Sequence, residues 1–206
     1  MNPISPNLYR HGNPFASPNP QTYPNPTAYI KQFNLIEDMR LAWLQHVYWT
    51  RMLLISIADR LNDQSYVTDR LLENPKDIAD IFAVYYGKDV ANTIDQLLTE
   101  HLKIGANLIT VLRDGKNEEA NILKQQWYQN ADKMADAFSG INPYYRREEV
   151  RQMLYRHLDL TTQEVAMRLA ANYSADIKAF GQVEKEALEM ADYFSSGIIR
   201  QFPQRF

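Results

Sequence analysis

From residue 33 to the end of the chain, apolar residues recur every three or four positions, which is the period of an amphipathic α-helix. Over 33–61 the residues Leu35, Met39, Ala42, Trp43, His46, Thr50, Leu53, Ile57 and Leu61 fall on one face at about 100° per residue. Asn62-Asp63-Gln64-Ser65 ends that helix, and a short helix follows. Asn74-Pro75-Lys76-Asp77 then reads as a helix start, with Asn as N-cap, Pro at the first position and Asp in the first turn. This helix runs to about Tyr86 and stops at Gly87. The next covers 89–113 and ends at the Asp114-Gly115 turn. Another covers 117–140, with Leu123, Trp127, Asn130, Ala131, Met134 and Phe138 on its stripe, and ends at Gly140-Ile141-Asn142-Pro143. Segments 145–158 and 162–201 complete the series. Thr161 and Glu164 have capping-box spacing, which predicts a break near Leu160, and Asn172-Tyr173-Ser174 predicts a second break or bend. No segment alternates with the period of a strand. The expected class is all-α, a bundle of about six helices.

Short phrases repeat at a fixed spacing. QLLTEHL at 96–102 returns as QMLYRHL at 152–158, and DIADIF (77–82), KMADAF (133–138) and EMADYF (189–194) follow one another at the same 56-residue step. LAWLQHV at 41–47 fits the histidine phrase with one residue of slippage. The expected unit is an αα-hairpin, its first helix carrying His and its second carrying Ala-Asp-x-aromatic. One such hairpin buries too little apolar surface alone, so three would pack into one domain.

Residues 1–30 differ in kind. Seven of the ten prolines (Pro3, Pro6, Pro14, Pro18, Pro20, Pro24, Pro26) lie here among Asn, Ser and Tyr. Proline fixes φ and lacks a donor, so the expectation is a disordered, partly polyproline-II tail before a single helical domain at 31–203. Composition narrows the partners. A net charge of −3 without a basic stripe argues against nucleic acid. The absence of cysteine excludes disulfides and thiolate chemistry. No apolar run reaches the roughly 18 residues of a membrane span, and the first residues lack the apolar core of a secretory signal. The expected location is cytoplasmic, with association to a spore surface as the alternative, and the expected partner is a protein, self-association included.

Three histidines carry the candidate chemistry. His46, His101 and His157 each lie on the apolar stripe of a predicted helix. A single imidazole in that position is ordinarily a hydrogen-bonded core residue. Three at equivalent positions are either a packing feature of the repeat or a set that converges on a transition metal such as Zn or Fe, which imidazole suits. The paired Glu-x-x-His signature of di-iron bundles is missing, and so is His-x-x-x-His. Asn130 and Asp176, also on apolar stripes, need buried partners, for which a histidine is a natural choice. Asp80, Asp136 and Asp192 point away from their stripes, toward solvent. The chain holds no Gly-rich phosphate loop, G-x-S-x-G or HExxH, so the motifs give no reason to read it as an enzyme.

LAWLQHVYWTRMLLISIADRL, LLENPKDIADIF, LLTEHLKIGANLI, WYQNADKMADAFSGINPYY and MADYFSSGIIRQFP, which together span about 35–203, resemble a family of small helical proteins from spore-forming Firmicutes. Some relatives in that family carry an automatic label, acetylglutamate kinase. The label implies an α/β fold with Gly-rich loops, which this chain lacks. The resemblance implies a sporulation-associated role. The leading expectation is a non-enzymatic interaction or structural bundle. The alternative is a bundle that binds a metal or small ligand through His46, His101 and His157.

Overall fold

The computed structural model describes residues 26–206, so most of the expected tail lies outside the described residues. Seven α-helices follow in order: α1 (Pro26–Ala58), α2 (Gln64–Leu71), α3 (Asn74–Tyr86), α4 (Lys88–Arg113), α5 (Asn117–Ile141), α6 (Arg147–Leu169) and α7 (Tyr173–Gln201). A 3₁₀ turn, Pro203–Arg205, closes the chain. Six of the seven are long and α2 has eight residues. No strand occurs among the described residues, which agrees with the all-α reading and not with the α/β fold of a kinase.

The helices form three antiparallel hairpins: α1 with α2 and α3, α4 with α5, and α6 with α7. Contacts of α3 with α4, α5 with α6 and α7 with α1 close them into a ring. The first helix of each hairpin ends in the same way. Arg60, Gly115 and Ala171 take left-handed φ values of 54°, 72° and 55°. The next N–H in each case reaches back to the carbonyl of Ser56, Val111 or Met167. This is the Schellman arrangement, which satisfies the last carbonyls and reverses the chain.

Two expectations are corrected here. The tail was expected to extend to residue 30, yet α1 begins at Pro26, where proline suits a first turn because its missing N–H is unpaired anyway. Tyr29, Ile30 and Phe33 of this first stretch are exposed, so no buried stripe marks it in the sequence. The break expected near Leu160 is absent, because α6 runs unbroken to Leu169. Thr161 and Glu164 are not a capping box: both are buried inside that helix. Arg51 of α1 donates to the Glu164 and Asp176 carboxylates at 2.5 and 2.8 Å, which explains how two acids are kept in the interior. The second break falls where expected, with Asn172 capping α7 through the N–H of Ala175.

The core has two apolar regions. The larger holds Met39, Trp43, Phe82, Leu98, Phe138, Leu154 and Phe194, and the smaller holds Leu53, Ile57, Leu71, Leu102, Ile109 and Val165. At the heart of the larger, Phe82, Phe138 and Phe194 meet with ring centroids 5.4, 4.5 and 6.0 Å apart. These are the terminal residues of DIADIF, KMADAF and EMADYF, so equivalent positions of the three phrases meet on one axis.

Candidate metal centre

Between the two apolar regions lies a polar layer. His46 of α1, His101 of α4 and His157 of α6 are 2%, 2% and 4% exposed. Their ring centroids are 5.9, 5.8 and 6.1 Å apart, a nearly equilateral triangle. One nitrogen from each ring lies within 4.8 Å of the other two. The three expected histidines therefore converge, and at a scale set by one small ion. Ligand bonds of about 2.0–2.1 Å around a tetrahedral centre place neighbouring nitrogens roughly 3.3 Å apart. Closing from 4.8 Å asks each ring to move inward by under about 1 Å.

The other nitrogens are held from outside the triangle. His46 Nδ1 lies 3.1 Å from Asn74 Oδ1, and His157 Nδ1 lies 3.1 Å from Glu186 Oε2. Asn74 Nδ2 donates to the Ala42 carbonyl at 2.8 Å, so its Oδ1 is the end left to accept. His46 must then carry its proton on Nδ1, which leaves the Nε2 lone pair free. The Glu186 carboxylate imposes the same tautomer on His157 when ionised. Metal-ligating imidazoles are oriented in this way, by an amide or carboxylate oxygen behind the ring.

The third ring has the same neighbour in outline. Asn130 Nδ2 donates to the Leu97 carbonyl and to Glu100 Oε2, both at 3.1 Å, so its Oδ1 is likewise the free end. Leu97 precedes His101 by one helical turn, just as Ala42 precedes His46. Asn130 Oδ1 and His101 Nδ1 are each buried without a hydrogen bond, yet Asn130 lies near enough to favour the protonated ring. The Trp127 indole covers His101, with centroids 5.2 Å apart, and donates Nε1–H to the His101 carbonyl at 3.1 Å. Gly105 allows this approach, since a Cβ there would meet the Trp127 ring at 3.2 Å.

Burial fixes the charge state. It pushes His46 down to about 3, helped by the neighbouring His157 and opposed by Asn74. Burial also holds His101 well below the usual histidine range, with His46 and His157 adding to the effect. These two rings are neutral at pH 7, the state a metal ion requires.

Sequence reasoning placed His46, His101 and His157 on interior faces and picked out Asn130 as a partner. It missed two others. Asn74 was read as an N-cap, but the cap position belongs to Glu73 and the Asn74 side chain is wholly buried against His46. Glu186 was not singled out. A signal was present in the repeat itself: Asn74, Asn130 and Glu186 follow one another at the 56-residue step, and each stands 28 or 29 residues after its histidine. Asp176, the other expected histidine partner, binds Arg51 instead. Asp80 and Asp136 are exposed as expected, in ion pairs with Lys76 and Arg147, whereas Asp192 is half-buried against Arg40.

Comparison with protein-family models, with curated proteins and with solved structures finds no match to this chain, so the site stands on its own geometry. Among the described residues no helix is long and apolar enough to cross a membrane.

Proposed function

We propose that this protein is a metal-binding helical bundle, in which His46, His101 and His157 hold one transition-metal ion such as Zn or Fe through their Nε2 atoms. The observation that carries this reading is the convergence of three buried imidazoles, two of which, His46 and His157, have their outer nitrogens against oxygen acceptors. Among the described residues no hydrogen bond to an Nε2 atom of the three is present. Buried lone pairs without a donor are unfavourable, and a cation relieves that cost. A purely structural role would be served better by three apolar side chains, like the phenylalanines one layer away. The threefold placement of ligands and supporting residues also favours reading the three hairpins as one repeated unit.

The test is metal content and thermal stability. Purified protein is expected to bind one Zn(II) or Fe(II) per chain, and its melting temperature to rise with free metal. His46→Leu, His101→Leu and His157→Leu are each expected to abolish that rise. A chain that binds no metal stoichiometrically, and melts at the same temperature with and without it, overturns the proposal.

A further inference from the structure

Three histidines leave a transition metal short of its usual four ligands, and the remaining direction is not filled by protein. A cavity of about 20 Å³ adjoins the triangle, bounded by all three imidazoles, Gly105, Trp127 and Thr161. One water needs about 10–15 Å³ measured this way, so the space takes a single water or a diatomic and nothing larger. Thr161 is 3% exposed, and its Oγ1 is buried without a hydrogen-bond partner. A buried hydroxyl left unpaired at the wall of a cavity next to three ligand nitrogens is the mark of a missing small guest.

The cavity also has an outer neighbour. A surface recess of about 210 Å³ lies between α2 and α4, and it shares Leu53, Leu71, Leu102 and Ala106 with the inner cavity. This is where the threefold arrangement is broken. α5 runs without interruption past Asn130-Ala131, whereas the matching stretch of the first hairpin is split into α2 and α3 just before Asn74-Pro75. Proline withholds an N–H and crowds the preceding turn, so the helix parts there. The shared wall is aliphatic and one residue thick.

We infer that the metal centre has an exchangeable fourth position, which takes water or a diatomic monoanion, is hydrogen-bonded by the Thr161 hydroxyl, and is reached past Leu71 between α2 and α4. The inference rests on the three-histidine reading and adds to it an open position, a size limit, a positioning residue and a path. Three protein ligands with one place left for water distinguish a reactive or sensing zinc-type site from a closed structural one.

The experiment uses the full chain loaded with Co(II), whose visible spectrum reports coordination, with metal content measured after gel filtration. Cyanide is expected to shift the spectrum with the metal retained, and sulfate to leave it unchanged. Thr161→Val, nearly equal in shape, is expected to keep one Co(II) per chain and to weaken cyanide about tenfold, as loss of one hydrogen bond implies. Leu71→Ala is expected to speed cyanide binding by several-fold with metal content unchanged. Retained Co(II) whose spectrum ignores cyanide means a closed centre and overturns the open position while the metal-binding reading stands. Equal response to sulfate overturns the size limit, an unaltered Thr161→Val the role of the hydroxyl, and an unaltered rate in Leu71→Ala the path. A chain that takes up no Co(II) overturns the three-histidine reading and this inference with it.

Discussion

Two triangles of side chains sit in adjacent layers of this bundle, each drawing one residue from each hairpin, and they differ in chemistry. Phe82, Phe138 and Phe194 come from the second helices of the three hairpins, and His46, His101 and His157 come from the first. Centroid separations are 4.5–6.0 Å for the phenylalanines and a more even 5.8–6.1 Å for the histidines. Trp43 links the two layers, stacked on Phe194 at 5.6 Å and tilted against His46 at 5.9 Å. The phenylalanine layer is dry, and burying each ring stabilises the fold by roughly 1.5–3 kcal/mol. The histidine layer adjoins a cavity, has three further polar residues behind it, and through burial makes His46 and His101 harder to protonate than in water. Under the proposed function, that layer is kept polar for the ion it would hold.

The comparison can be broken at its strong side first. Phe138→Ala should cost about 3–5 kcal/mol, read as a fall in the chemical-denaturation midpoint of the metal-free protein. A loss below about 1 kcal/mol would show that the phenylalanine triangle does not carry the core.

Acid should act on the other triangle. His46 is held near 3 in the folded chain against about 6.5 when unfolded, so below pH 6.5 the unfolded state takes up a proton that the folded state refuses. This stability is present above pH 6.5 and is lost as the pH falls toward 3. By pH 5 the loss from His46 alone is about 2 kcal/mol, and His101, shifted the same way, adds to it. Burial raises Glu164 to about 7, which works in the opposite sense, so the change in the pH 8 to pH 5 stability difference between metal-free wild type and His46→Leu measures the His46 part. An unchanged pH dependence in that variant would mean that the ring is already wetted.

The smallest effect belongs to the surface. Arg40 and Asp192 form two hydrogen bonds at 2.6 and 2.8 Å between α1 and α7, yet both side chains are about half exposed. Removing the pair should change stability by less than about 1 kcal/mol, with the difference shrinking in high salt. A double-mutant cycle on Arg40→Ala and Asp192→Ala reads it, and a coupling well above that figure would place part of the bundle's stability outside the two triangles.

The helices were legible because an amphipathic stripe is a local pattern: Leu35 to Leu61, or Trp127 to Phe138, shows its inner face residue by residue. Their ends were less so. Thr161-x-x-Glu164 and Asn74-Pro75 have the spacing of caps, but the same spacing puts two residues on one helix face, and local sequence does not separate the two. Local pattern was enough for the all-α class, the positions of the main helices and the interior face of each imidazole, and it suggested the repeat. Only the tertiary structure decided that the imidazoles meet, that Asn74 and Glu186 stand behind two of them, and that a small cavity adjoins them. Those facts depend on how each helix is rotated about its axis and how the hairpins close into a ring. That rotation and closure come from contacts between residues far apart in the chain, such as Arg51 with Asp176 and Phe82 with Phe194, and no local spacing records them.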